Sequence, residues 1–252
     1  MNTRRIIVWV SAGEASAVAW KLAFQEFGNR VIGVYCDTST SESPDNKRFL
    51  DAVSKWVGQP LTIIRSKKFT NVDEVIEARH YLAGQKGAPC TVELKKVPRF
   101  HFQEADDIHV WGFTSDEKKR IKNFRANNPD MLLDFILQRH QVDRKTCTAM
   151  IVSAGIERPL RYRQGYANNN CICCNKAQSF QYWVMERRNN PEVFSRRAAQ
   201  SRKFGARLTR YGGKRIFIDE LPPDDKLMLR GKSYKVVKSE EKISCGPECG
   251  TI

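Results

Sequence analysis

Arg5–Phe27, RIIVWVSAGEASAVAWKLAFQEF, is the stretch that decides how this chain is read. Ile6 to Val10 is an apolar run of strand length. Ser11, Ala12 and Gly13 form a loop of small residues, and an amphipathic helix is expected from about Ala15 to Phe27. A strand that passes through small residues into a helix start suits phosphate. Small side chains let the backbone approach the anion, and the helix N-terminus supplies unpaired N–H groups and partial positive charge. An ordinary first βα unit has the same look, so the loop alone leaves both readings open.

Outward from this stretch the pattern repeats. Arg30–Cys36 (RVIGVYC) is a second strand, apolar almost throughout, as a buried parallel strand is. It ends in Asp37-Thr38, where α/β sheets bind ligands, which makes Asp37 and Thr38 candidate ribose or base contacts. Asp45–Val57 carries Phe49, Leu50, Val53 and Trp56 on one helix face and is stopped by Gly58. Leu61–Arg65 is a third strand. A helix capped by Asn71 or Asp73 is expected to run to about Ala83, followed by a glycine-rich loop from Gly84 to Ala88. Val92–Glu104 reads as helical with a break at Pro98, and Ile108–Phe113 as a fourth strand. Glu117–Phe124 is a strongly basic helix, with Ser115 or Asp116 as its cap. Met131–Leu137 fits a fifth strand or a helix, and Arg144–Ala154 is a helix ended by Gly155. Alternating strands and helices predict an α/β fold: a parallel sheet with helices on both faces and right-handed crossovers.

From Leu160 the character changes to aromatic, Asn, Cys and Arg residues. Pro191–Arg207 reads as a helix, Ile216–Leu221 as a short strand or extended piece, and Pro222–Lys242 as polar chain. The expected organisation is an α/β domain over residues 1–159 and a basic, cysteine-bearing region over 160–252. The formal net charge is +15. From Arg161 onward there are 19 Lys and Arg against 9 Asp and Glu, so this third carries +10 of that charge. Such a surplus favours a polyanionic partner or an acidic substrate, and nucleic-acid contact through the C-terminal third is one expectation. Arg187, Arg188, Arg196, Arg197 and Arg202 would then form either a solvated basic face or a nucleic-acid track. No apolar run approaches the roughly 20 residues of a membrane span, and no signal peptide is recognised. A cytoplasmic location is expected, that of the host for a phage-encoded protein. The oligomeric state is left open.

There are eight cysteines. In a cytosolic chain, bunched cysteines point to a metal, a cluster or redox chemistry before structural disulfides. Cys171 and Cys174 have the C-x-x-C spacing that presents two thiolates to one metal. Cys245 and Cys249 would supply two more, a set suited to zinc or an iron–sulfur cluster. Cys173 lies between ligands and reads as a bystander.

The order of motifs carries a resemblance. SAGEAS (Ser11–Ser16), YCDTSTSESP (Tyr35–Pro44), PCTVELKKVP (Pro89–Pro98), GFTSDEKKR (Gly112–Arg120), the run Gly155–Trp183 and NNPEVF (Asn189–Phe194) follow one another along the chain. Together they resemble the phosphoadenosine phosphosulfate (PAPS) reductase family of the PP-loop, or adenine-nucleotide α-hydrolase-like, superfamily. The likeness is greatest to its short phage and prophage members and covers nearly the whole chain. It implies a Rossmann-like sheet that binds an adenine nucleotide (PAPS, adenosine phosphosulfate or ATP). Ser11, Ala12, Gly13, Ser16, Asp37, Thr38, Lys95 and Arg120 are the candidate contacts. The usual loop is Ser-Gly-Gly-x-Asp-Ser, often with Lys at x. Here Ala12 replaces a glycine, Glu14 stands where Lys is common, and Ala15 replaces the Asp that helps hold a metal ion. Glu14 would repel a phosphate unless its side chain turns away.

In the same family a Glu-Cys-Gly ending, here Glu248-Cys249-Gly250, carries a nucleophilic cysteine. It attacks the sulfate sulfur to form a thiosulfonate that a small dithiol protein reduces. Such attack needs a thiolate, which a basic pocket of Lys95, Lys96, Lys118, Lys119 and Arg120 would favour. One thiol cannot both ligate a metal and act as that nucleophile, so Cys249 has two competing roles. Cys90 resembles a position near the family's active site and equally suits a buried small residue. Three functional classes follow. The first is a nucleotide-binding enzyme of thiol- or cluster-dependent sulfur chemistry. The second is a catalytically altered protein with structural zinc that binds nucleic acid or a host protein. The third is a nucleic-acid-modifying sulfurtransferase, against which the missing Asp at Ala15 argues.

Overall fold

The computed structural model describes residues 4–84, 87–229 and 232–233. Its longer strands and helices run, in chain order, β1 (Ile6–Val10), α1 (Glu14–Phe27), β2 (Val31–Cys36), α2 (Asp45–Val57), β3 (Thr62–Ile64), α3 (Val72–Arg79), β4 (Ile108–Trp111), α4 (Lys118–Asn127), β5 (Leu132–Asp134), α5 (Arg144–Ser153), α6 (Phe180–Asn189), α7 (Pro191–Lys203), β6 (Thr209–Tyr211) and β7 (Lys214–Ile216). They fall into two compact units. The first comprises residues up to Ser39, Pro44–Arg65 and Pro98–Leu160. The second comprises Thr40–Ser43, Ser66–Val97 and the chain from Arg161 on.

The first unit is built on a five-stranded sheet in the order β3-β2-β1-β4-β5, with every pairing parallel. The fold is α/β and Rossmann-like. All five residues of β1 are buried, because helices cover both faces and leave no polar side for alternation. One face carries Ile6, Val8, Val10, Val31, Tyr35 and Val110 into a core with α1, α2 and α5. Gly33 makes one approach feasible there: a Cβ would stand 2.3 Å from the Trp20 ring, so the indole packs directly against the β2 backbone. The opposite face is aromatic. Trp9 stacks against Trp111 at 5.9 Å, Trp111 meets Phe124 of α4 at 4.9 Å, and Phe113 stacks on Phe135 at 5.6 Å. The strand order reverses between β1 and β4, and parallel sheets open their binding crevice at the carboxyl ends beside such a reversal.

His109 sits inside that aromatic face at 3 % exposure. The Trp9 indole N–H donates to its Nδ1 at 3.2 Å, a bond only the neutral ring accepts at that nitrogen. Burial pushes the His109 pKa down to about 4, with Asp107 partly opposing and Arg99 and Arg5 adding to the shift. The unfolded chain therefore takes up this proton first as pH falls from the ordinary histidine value near 6.5. Stability present above that pH is lost through the window down to about 4. Between pH 7 and pH 5 the loss is on the order of 2 kcal/mol. Urea unfolding of the parent and of His109→Gln, which keeps an acceptor for Trp9, measures the difference. Equal pH slopes for the two would refute the assignment.

The second unit packs α3, α6 and α7 around Val75, Ile76, Leu82, Leu94, Tyr182, Trp183 and Ile218. Asn71 caps α3 by accepting the Glu74 N–H at 2.9 Å. The helix stops at Arg79, short of Ala83, because His80 turns into the left-handed region at φ +51. The break expected at Pro98 takes another form. The backbone widens into a π turn over Val92–Lys96, where Val97 N–H reaches back to the Val92 carbonyl, and then continues as α-helix through Val97–Phe102. Two elements departed from expectation. Thr209–Tyr211 and Lys214–Ile216 form an antiparallel hairpin closed by Gly212 and Gly213, both at positive φ. A two-residue Gly-Gly turn allows this. The strand expected over Ile216–Leu221 is thus shifted, and Ile218–Glu220 is a 3-10 turn. Met131–Leu137 divides into the strand Leu132–Asp134 and a helical turn from Ile136. Among the described residues no helix is long and apolar enough to cross a membrane.

Candidate functional site

The loop after β1 is tied by its own serines. Ser11 N–H donates to Ser16 Oγ at 3.0 Å, Ser16 Oγ donates to the Gly13 carbonyl at 2.9 Å, and the two hydroxyls stand 3.2 Å apart. Ala12 adopts φ +48, a left-handed conformation that costs a residue with a Cβ roughly 1–2 kcal/mol. This is where the resembled motif has glycine, and strain retained in a loop is a mark of functional sites. Gly13 is the N-cap of α1 and supplies no side-chain cap, so the first-turn N–H groups have no side-chain acceptor there. On the far side, Gly112 after β4 presses on the loop: a Cβ would stand 2.7 Å from Ser16 N and Cα.

Glu14 does not point its charge into this loop. It is 4 % exposed; its carboxylate takes Arg158 Nε, the other Arg158 nitrogen at 3.2 Å and the Thr148 hydroxyl at 2.7 Å. The repulsion expected from the sequence is absent, because Arg158, distant in sequence, neutralises the group. Asp37 is engaged too. Its oxygens accept Ser39 N–H at 3.0 Å and Arg65 Nε at 2.7 Å. Burial pushes its pKa up, but Ser39 and Arg65 hold it below the ordinary carboxylate value. Thr38 is buried. Arg120 pairs with Glu117 at 2.6 Å and lies 4.0 Å over the Phe113 ring. Ser11, Ala12, Gly13, Ser16, Asp37, Thr38 and Arg120 all belong to the first unit, and Lys95 to the second.

Within the second unit the thiols gather. Cys171 and Cys174 flank a short loop pinned from below by Tyr182 of α6. The Tyr182 hydroxyl accepts Cys174 N–H at 2.8 Å and donates to the Cys171 carbonyl at 3.2 Å. Ile172 N–H bonds the Ser41 carbonyl at 2.9 Å. Cys173, at φ +50 and fully buried, turns its thiol inward toward Glu186, as fits a bystander. Cys90 and Cys174 pack against the same apolar core, and Cys90, Cys171 and Cys174 lie within electrostatic reach of one another. Burial pushes the Cys90 thiol up to about 11, with Arg197, Lys95 and Lys176 pulling it back. Cys171 is raised well above the ordinary thiol value by burial, against the pull of Lys95. Beside Cys174, the Asn175 amide is 4 % exposed, and neither its nitrogen nor its oxygen has a partner among the described residues. Cys245 and Cys249 lie outside the described residues.

The grouping of Cys90 with the C-x-x-C pair is not in the spacing, since 80 residues of chain separate Cys90 from Cys171. The Cys-Thr-x-x-Leu-Lys motif was the one hint. The three sulfurs do not all come within 4.8 Å of one another; among the described residues only Glu104, Asp106 and Asp107 do so. Two of these three are spent on Arg5, which bonds both Asp107 oxygens at 2.8 Å and Glu104 at 2.8 Å. The arginines of the expected basic face or nucleic-acid track take part in ion pairs. Arg196 and Arg197 hold Asp73, Arg187 and Arg188 hold Asp224, and Arg202 holds Asp219 and Glu220. No protein-family model matches the chain, and no curated protein matches it.

Proposed function

We propose that this chain binds an adenine nucleotide at the carboxyl ends of β1 and β2. We propose further that it performs thiol-dependent sulfur chemistry around a metal centre, as a PP-loop protein of PAPS-reductase type. The observation that carries the reading is the convergence of Cys90, Cys171 and Cys174 beside Lys95 and Lys176. These thiols, with Cys245 as a fourth and Cys249 left free as the nucleophile, fit an iron–sulfur cluster better than a single zinc ion. Ligands of one ion must crowd together, whereas a cluster spreads its thiolates over several irons. The unpartnered Asn175 amide fits as a hydrogen-bonding neighbour of such a centre. When bound, such a cluster would supply electron-accepting capacity, and Lys95 and Lys176 would attract an anionic group to these thiols.

The family's reaction makes a definite expectation for Cys249. Its thiolate forms a bond to the sulfate sulfur, the sulfur–oxygen bond to the nucleotide breaks, and the nucleotide leaves with the electron pair. A small dithiol protein then releases sulfite and becomes a disulfide. Protein purified without oxygen should contain iron and sulfide, absorb near ~400 nm, and release sulfite from a sulfonucleotide when a dithiol reductant is present. Cys171→Ser should lose the iron. Cys249→Ser should keep it and lose sulfite release. Colourless protein with bound zinc and no sulfite would overturn this reading in favour of a binding protein. The paired arginines of α6 and α7 leave less free charge for nucleic acid than the sequence suggests, so affinity there should be weak and its salt dependence shallow.

A further inference from the structure

In the first unit, on the aromatic face of the sheet, two hydrogen-bond donors are buried with nothing to bind. The Arg99 side chain, from the helical turn Val97–Phe102, is 4 % exposed. Its guanidinium makes no hydrogen bond and no ion pair with any described residue, and its Nε is wholly enclosed without a partner. Trp111, at the carboxyl end of β4, is 2 % exposed, and its indole N–H is likewise enclosed and unbonded. The two are neighbours: the guanidinium carbon lies 5.5 Å from the Trp111 ring centre and 4.7 Å from that of Phe100. One turn further on, Gln103, whose N–H bonds the Arg99 carbonyl, buries a side-chain oxygen with no partner. An amide nitrogen and oxygen are exchangeable on such grounds, which would make Gln103 a third donor.

Among the described residues no carboxylate compensates this cation. Burial lowers the Arg99 pKa, and the Cys36 thiol only partly opposes the shift. His109 nearby is held neutral by its bond to Trp9. Aromatic faces recover part of the lost hydration of a guanidinium, but they leave its N–H groups unbonded. Buried arginines are otherwise paired or hydrogen-bonded. A water molecule would satisfy an N–H and leave the charge. A group with several acceptor oxygens and a negative charge satisfies both requirements, and the planar guanidinium fork matches that geometry.

We infer that Arg99 and the Trp111 N–H form a buried site for a small oxyanion, a carboxylate or a sulfate-sized group, in the first unit. The site is independent of the loop after β1 and of the thiols, so it stands or falls apart from the proposed function. Thermal unfolding of the full chain tests it, with millimolar sulfate or acetate compared against chloride at matched ionic strength. The parent should be stabilised by an oxyanion and not by chloride. Arg99→Met should lose that response and, without oxyanion, unfold no lower than the parent, because an unpaired buried charge has been removed. Trp111→Phe keeps the ring, loses the donor and should bind about tenfold more weakly. An arm with adenosine monophosphate separates a free anion, for which only the sulfate or acetate response depends on Arg99, from a nucleotide phosphate, for which both do. The site is refuted if the parent shows no oxyanion-specific shift, or if Arg99→Met keeps it. A Cys36 thiol that alkylates as a thiolate well below neutral pH would also refute it, by supplying the counter-charge from within the chain.

Discussion

Glu186→Gln should lower the stability of the second unit by about 3–5 kcal/mol, the largest single effect expected in this protein. Glu186 is fully buried, and one carboxylate oxygen holds Arg161, itself 1 % exposed. The other oxygen accepts from Asn190 Nδ2 at 2.7 Å and faces the Cys173 thiol at 3.8 Å. Arg161 also lies 3.8 Å from the Tyr166 ring centre and 3.4 Å from the Tyr182 hydroxyl. Burial by itself would lower the Arg161 pKa. The Tyr182 oxygen and the Glu186 carboxylate reverse this and hold it well above the ordinary value. Neutralising Glu186 strands that cation in the core. The melting temperature should fall by roughly 10 °C for a chain of this size. Arg161→Met combined with Glu186→Gln should recover most of the loss, because a buried pair removed together costs far less than one partner removed alone. Chemical denaturation of the two single variants and the double variant reads the coupling. A loss under about 1 kcal/mol for Glu186→Gln alone would mean that the pair is hydrated. The consequence reaches the cysteines, since Tyr182, pinned in this network, holds the Cys171 carbonyl and the Cys174 N–H.

Gly112→Ala should displace the loop after β1. The added Cβ would meet backbone, Ser16 N and Cα at 2.7 Å and the Ala15 carbonyl carbon at 3.0 Å, and backbone in the first turn of α1 cannot swing aside as a side chain does. Overpacking of this kind costs about 1–3 kcal/mol. If the loop is the nucleotide site, moving its N–H groups by a fraction of an ångström should also weaken adenine-nucleotide binding by about tenfold or more. Calorimetric titration with a sulfonucleotide, beside a melting curve, separates the two effects. Unchanged affinity in a destabilised protein would place the nucleotide elsewhere. Gly33→Ala makes the control: its Cβ strikes the Trp20 ring within the core, so it should destabilise to a similar degree without altering nucleotide affinity.

Most of the sheet was legible in the sequence because parallel strands buried on both faces are unbroken apolar runs. Ile6–Val10 and Val31–Cys36 stand out from polar neighbours for that reason, and α2 shows its apolar face at helical spacing. Helix α6 was not legible. Phe180, Tyr182, Trp183, Val184, Met185 and Glu186 are all buried, so the first two turns of the helix are enclosed and show no polar face to give them a period. The Gly-Gly hairpin was signalled in the sequence but lies among residues too polar to read as strands.

The local sequence of this protein determined the βαβ order, the small-residue loop and the C-x-x-C turn, because each depends on neighbours a few residues apart. Tertiary structure decided where the charges and thiols went. Glu14 is neutralised by Arg158, Arg161 by Glu186, Cys90 is drawn to Cys171 and Cys174, and the basic helices are matched with Asp73, Asp219 and Asp224. Each of these pairings is made across many intervening residues. A sequence states how many charges and thiols a chain carries, whereas burial, which sets the strength of their interaction, exists only once distant segments have packed together.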